Sequence, residues 1–246
     1  RKGGVGKSTT AAALVSGLTL KGYKVLAVDL DAQRNLTSTM RARADSKTAL
    51  GVLTGDITAK EAIRYTESGD IIPASKNLSG ADATLTETGK EYRLKEALEP
   101  VKGSYDYCII DCPPALGILT VNALTAANSL IIPAQADIYS LEGIKDLQET
   151  IQPVRKYCNP SLEIQGILLT RYSPRSILSR DVTTLAEQLA ERLGTSLYKA
   201  TIREAVAVKE AQISQQSLFT YAPKAKVTED YRTFIDEFLE RGTATE

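Results

Sequence analysis

Arg1-Lys2-Gly3-Gly4-Val5-Gly6-Lys7-Ser8-Thr9 opens the sequence and decides the fold. Three glycines in four positions let consecutive backbone N–H groups curl around an anion, because glycine accepts the left-handed conformations that such a curl needs. The run from Ser8 to Leu20 reads as a helix, so a helix N-terminus, with its positive dipole end, faces the same anion. Lys7 supplies a point charge for the outer phosphates of a nucleotide, and the Ser8 hydroxyl a ligand for Mg²⁺. Lys2, Gly3, Gly4, Val5, Gly6, Lys7, Ser8 and Thr9 are therefore the candidate nucleotide-binding residues. A phosphate loop is the turn leaving a strand, and no strand precedes this one. The sequence is expected to be a fragment lacking a short N-terminal strand.

Beyond the loop, short apolar runs alternate with amphipathic stretches. Strands are expected at Val25–Asp29, Asp70–Pro73, Tyr107–Asp111, Ser129–Pro133, Ile164–Thr170 and Ser196–Tyr198. They are rich in Ile, Val and Leu and mostly lack alternation, as strands covered on both faces do. Helices are expected at Ser8–Leu20, Leu119–Ala127, Leu141–Tyr157, Asp181–Leu193 and Val227–Arg241, with Leu185, Leu189 and Leu193 on one stripe. The more polar stretch 35–100 is expected to hold short helices rather than a separate domain. Strand and helix in repetition imply an α/β fold, a mainly parallel sheet with helices on both faces, in a single domain over 1–246.

Composition narrows the chemistry. The 246 residues carry 30 basic and 30 acidic side chains, so no global positive field announces a polyanion, and any nucleic-acid contact must come from a local patch. There is no histidine, which removes the usual general base, the commonest metal ligand and Ser-His or Cys-His nucleophilic systems. Cys108, Cys112 and Cys158 lack metal-site spacing and read as free thiols in a reducing cytosol. No apolar run reaches the roughly 20 residues needed to span a bilayer, so a cytoplasmic chain with no membrane partner is expected.

Two apolar strands end in aspartate. Val25–Val28 runs into Asp29-Leu30-Asp31-Ala32-Gln33, and Tyr107–Ile110 into Asp111-Cys112-Pro113-Pro114. Carboxylates at the carboxyl ends of parallel strands lie where such folds bind ligands. After a phosphate loop at this separation, Asp111 is the expected Mg²⁺ carboxylate.

The form KGGxGK[ST] over Lys2–Ser8 resembles the deviant Walker A loop of the ParA/MinD/nitrogenase-iron-protein superfamily of P-loop NTPases. Asp29–Asn35 resembles that family's switch I, and Asp111–Leu116 its switch II. Ala32 and Arg34 stand where the family usually has proline and glycine, and Cys112 where it has threonine. Ile132-Pro133 with Tyr139–Gly143, and Glu210-Ala211 with Phe219, Tyr221, Pro223 and Tyr231, match further ParA-like patterns, so the resemblance to ParA/Soj-type partition ATPases covers essentially the whole chain. It implies that Lys2 reaches across an ATP-sandwich homodimer to the partner subunit's nucleotide. It further implies that Asp31 activates the attacking water beside Mg²⁺, with Lys2, Lys7 and Asp31 as the catalytic set, Ser8, Asp31 and Asp111 around the metal, and Arg171 and Pro223 bordering the adenine.

The short acidic tail disfavours a MinD-like membrane helix, the cysteines do not match an iron protein, and the tail lacks a tyrosine-kinase cluster. Partition of plasmid or chromosome DNA is the function that the resemblance leaves. It implies ATP and Mg²⁺ as cofactors, non-specific DNA and a centromere-binding ParB-like protein as partners, and a nucleoid-associated location. From Arg171 to Arg232 there are ten Lys/Arg against seven Asp/Glu. Arg203 and Lys209, then Lys226 and Arg241, are the candidate DNA contacts, made to phosphates rather than bases. The alternative is a nucleotide-gated adaptor that positions a protein cargo or regulates transcription.

Overall fold

The computed structural model describes residues 4–43, 45–135, 137–173 and 177–243, so Lys2 and Gly3 lie outside the described residues. In chain order the glycine loop runs into α1 (Lys7–Leu20), β1 (Val25–Asp29), α2 (Asn35–Thr39), α3 (Ala49–Thr54), α4 (Ala59–Ala62), β2 (Arg64–Thr66), β3 (Gly69–Ile72) and α5 (Ala81–Thr84). Then come α6 (Arg93–Lys102), β4 (Tyr107–Asp111), α7 (Ile118–Ala126), β5 (Ser129–Gln135), α8 (Ile138–Tyr157) and β6 (Glu163–Thr170). The chain closes with α9 (Ile177–Arg192), α10 (Val206–Ile213), α11 (Leu218–Tyr221) and α12 (Lys226–Thr243).

The apolar runs become parallel strands because both of their faces are covered. β1 is buried at every position and pairs in parallel with β3 on one side and β4 on the other. Successive side chains point to opposite faces, so Val25 and Ala27 enter one core while Leu26 and Val28 enter another. The first core holds α1 and α12, through Val15, Leu18, Phe234 and Ile235. The second gathers the short helices between β1 and β4, through Leu53, Leu78 and Leu94, with Leu119 of α7. α1 and α12 approach so closely at Gly17 that a Cβ there would force the Ile235 side chain of α12 to shift. β2 adds to β3 as an antiparallel edge, giving the order β2-β3-β1-β4.

β5 and β6 form a parallel pair with its own core, in which Ile132, Ile167, Ala186 and Leu189 meet under α8 and α9. A groove of about 950 Å³ separates this pair from β4, lined by Cys108, Ile110, Leu130, Ile132 and, from α1, Ala11 and Leu14. β4 and β5, each at an edge of its own sheet, both line the groove. Its apolar walls suit packed side chains, not a triphosphate.

Two expectations are corrected. Ser196–Tyr198 makes one parallel bridge, Ile167 to Leu197, rather than a strand. Leu185 is 47% exposed, and the buried stripe of α9 is Val182, Ala186, Leu189 and Ala190, continuing into Leu193. Stretch 35–100 holds short helices as expected, plus the β2–β3 hairpin. Among the described residues no helix is long and apolar enough to cross a membrane.

Candidate phosphate-binding site

Gly4 and Gly6 take φ of 98° and 93°, the left-handed region in which a side chain is strained. The loop is tied back by its carbonyls. Gln135 Nε2, at the end of β5, donates to the Gly4 oxygen at 2.9 Å, and Thr170 Oγ1, at the end of β6, donates to the Val5 oxygen at 2.8 Å. Thr10 N donates to the Gly6 oxygen at 2.8 Å, starting α1. Three successive carbonyls are thus used internally, and what the loop has left for a ligand is its N–H groups and the N-terminus of α1. Gln135 and Thr170 carry no motif of their own, and sequence reading missed both.

β1 and β4 run in register to their ends, with Asp29 opposite Asp111, and Leu30 N donates to the Asp111 backbone carbonyl at 3.0 Å. Three carboxylates gather at this edge and differ in kind. Asp29 is wholly buried and accepts from Asp31 N at 3.0 Å, Thr37 N at 2.8 Å and Thr37 Oγ1 at 2.7 Å. Burial pushes its pKa up against the pull of those hydrogen bonds. With one oxygen taken by Asp31 N and the other by the backbone and hydroxyl of Thr37 in α2, Asp29 is a scaffold carboxylate. Asp31 holds its own turn, accepting from Gln33 N at 2.9 Å.

Asp111 is the unsatisfied one. Its Oδ2 is buried with no hydrogen-bond partner. Burial, and after it the charges of Asp29 and Asp31, push its pKa up to about 7, while a hydrogen bond from Ser8 and the charge of Lys7 pull it down. Lys7, Ser8 and Asp111 are therefore brought together as expected. Among the described residues no group of three His, Cys, Asp or Glu side chains is placed to hold a metal alone. A free carboxylate oxygen beside a serine hydroxyl suits Mg²⁺, which keeps waters and takes phosphate oxygens instead of a full protein cage. The residues present fit that ion.

The remaining candidates divide. Thr9 Oγ1 accepts from Gln212 Nε2 at 3.0 Å, so its side chain serves a contact with α10. Arg171 closes β6 in the left-handed region (φ 49°), and its Nη2 comes within 4.0 Å of where a Gly4 Cβ would be, at the loop rim. Pro223 sits in the turn between α11 and α12, its carbonyl accepting from Arg232 Nη1 at 3.0 Å. Lys209 and Lys226 are exposed. Arg203 is exposed but forked onto Asp230, with Nε and Nη2 donating at 2.6 and 2.7 Å.

Arg241 departs from the basic set. It donates to the carbonyls of Gln165 and Leu197 at 2.8 and 2.6 Å, pairs with Glu237 and lies 4.0 Å over the Tyr198 ring. The expected DNA contact at Arg241 is corrected to a staple between α12 and the outer edge of β6.

A protein-family model described as an AAA domain matches residues 1–164. The sporulation initiation inhibitor protein Soj of Bacillus subtilis is 40% identical, over 98% of this chain and 96% of its own. The chromosome partitioning protein ParA of Caulobacter vibrioides is 39% identical, over 98% and 92%. Among solved structures, cobyrinic acid a,c-diamide synthase from Mycobacterium smegmatis, with bound ADP and magnesium, superposes with a TM-score of 0.85 at 35% identity, over 100% of this chain and 93% of that one. A glycine loop backed by Ser8 and a half-partnered Asp111, on a sheet shared with such relatives along nearly the whole chain, places this protein in the ParA/Soj family of P-loop partition ATPases.

Proposed function

We propose that this chain is a DNA-partition switch in which Mg-ATP drives a sandwich homodimer onto non-specific DNA and hydrolysis releases it. The observation that carries the reading is Asp111, a buried carboxylate with one free oxygen beside Ser8 and Lys7 at the mouth of a glycine loop. Lys7 and the loop N–H groups hold the phosphates, and Ser8 and Asp111 hold Mg²⁺, which offsets charge on the phosphate oxygens. Asp31, at the adjacent strand end, orients the attacking water. No histidine is needed. Lys2 reaches the partner subunit's nucleotide, Arg171 and Pro223 border the adenine, and a ParB-like protein stimulates turnover. The single domain works in the cytoplasm, on the nucleoid.

One subunit has only a small local basic excess between Arg171 and Arg232, and the forked Arg203–Asp230 pair lowers its usable charge. Lys209 and Lys226, doubled in a dimer, supply the phosphate contacts, and each neutralised phosphate steepens the salt dependence by about 0.9 in log–log slope. A salt titration of random-sequence duplex DNA with ATP and with ADP tests this. Binding is expected with ATP alone, indifferent to sequence and falling steeply with salt. Equal affinity in both nucleotide states refutes the gating.

A further inference from the structure

α10 lies far from the phosphate loop in sequence yet is fastened both to α1 behind the loop and to α2 beside the carboxylate edge. Gln212 Nε2 donates to Thr9 Oγ1 at 3.0 Å, in the first turn of α1 behind the loop. Just past the helix, Gln215 Nε2 donates to Ser38 Oγ of α2 at 3.1 Å, and Arg41 Nη2, following α2, donates to the Ser214 carbonyl at 3.0 Å. α2 is in turn hung on Asp29 through Thr37, two residues of strand end away from Asp31. A continuous chain of contacts thus runs from the carboxylate edge through α2 to α10, and a second runs from the loop through α1.

The backbone at these junctions is strained. Arg34 (φ 59°) and Arg41 (φ 53°) bracket α2, and Gln215 (φ 50°) follows α10. They are three of the four non-glycine residues with positive φ among the described residues. Such conformations persist only where surrounding contacts hold them, and they collect at switching segments. The three linking hydrogen bonds are all exposed, so water can replace them at little cost. A permanent brace would be buried; these are bonds suited to being exchanged. Below, Ala211 anchors α10 in the first core, while its outer side shows Lys209 with Val206 and Ile213, which are 69% and 84% exposed.

We propose that α10 is the relay by which the nucleotide state reaches the DNA-facing surface, with Gln212 following α1 and Gln215 and Arg41 following α2. The proposal rests on the reading above for its output, ATP-gated DNA binding, but its input is measurable separately. It makes Gln212 and Gln215 positioning residues, outside the nucleotide site itself.

Two measurements test it. In the first, the double variant Gln212→Ala, Gln215→Ala is compared with the unaltered protein for Mg-ATP affinity and for the ratio of random-duplex affinity with ATP to that with ADP. The relay predicts ATP affinity within about twofold and a gating ratio lowered about tenfold or more, within the usual range of coupling between sites. An unchanged ratio, or a loss of ATP affinity that makes the glutamines part of the pocket, overturns it. In the second, hydrogen exchange of the Val206–Ile213 amides is followed in the unaltered protein with ATP and with ADP. Protection is expected to differ between the states, and identical protection overturns the relay whether or not the variant folds. If the unaltered protein binds DNA equally in both states, the partition reading fails and the relay's DNA output with it, whereas gated DNA binding with identical α10 protection overturns the relay alone.

Discussion

At Asp111 a carboxylate is held out of water with one oxygen unpartnered, which costs folding free energy whenever it is ionised. Its pKa, raised to about 7 from 3.8, means that the folded nucleotide-free protein binds a proton that the unfolded chain gives up. That contribution to stability is fully present below about pH 4 and is lost as pH rises through 7. Its size is on the order of 2–4 kcal/mol. Asp111→Asn is therefore expected to raise the melting temperature of the nucleotide-free protein at pH 8 by several degrees, and to flatten its stability between pH 5 and 8. Mg²⁺-dependent nucleotide affinity should fall in the same variant. Thermal melts across pH check the first part, and an unchanged or lower Tm at pH 8 would show that the carboxylate is not strained.

Among the elements, α2 shows how function and stability share a hydrogen bond. It has only five residues and no side-chain cap of its own, too short to persist alone. Thr37 holds it: the hydroxyl donates to Asp29 at 2.7 Å and accepts from Ala74 N at 3.0 Å, both buried. Thr37→Val would leave a buried carboxylate and a buried N–H each short of a partner, costing about 2–4 kcal/mol. Thr37→Ser should recover most of that, since the hydroxyl and not the methyl does the holding. Urea unfolding of the two variants checks this, and equal destabilisation would assign the effect to packing.

The same element marks where the sequence is readable. The phosphate loop, β1 and β4 are legible because each is a local pattern: glycines at fixed offsets, an apolar run, a terminal aspartate. Thr37, Gln135, Thr170 and Gln212 are not legible, since a lone polar side chain acquires its role from a partner far along the chain, as Thr170 does with Val5. Arg34 is half legible. Its αL backbone explains why a glycine is usual there, but no local signal says why an arginine bears that conformation. On α9 the i, i+4 leucines are half right: Leu189 and Leu193 face the core, whereas Leu185 is exposed and the smaller Val182, Ala186 and Ala190 complete the buried stripe. On α12, Arg241 reads as a surface cation and is turned inward by the carbonyls around β6.

Across the whole molecule, charge is balanced and the sheet is divided by the groove between β4 and β5, so the site is assembled from both halves. β1 and β4 bring the carboxylates, while β5 and β6 fasten the loop through Gln135 and Thr170. Binding and turnover should therefore separate by residue. Lys7 stands where the glycine loop meets α1, whereas Asp31 stands at a strand end, its carboxylate accepting from Gln33 N of its own turn at 2.9 Å. The deciding measurement is Mg-ATP binding and hydrolysis by the unaltered protein, Lys7→Ala and Asp31→Ala side by side. Lys7→Ala should lose binding, whereas Asp31→Ala should bind Mg-ATP normally, accumulate as a dimer and turn over at least about 100-fold more slowly, the scale of a lost general base. Hydrolysis at the unaltered rate in Asp31→Ala would contradict the assignment of the reacting carboxylate.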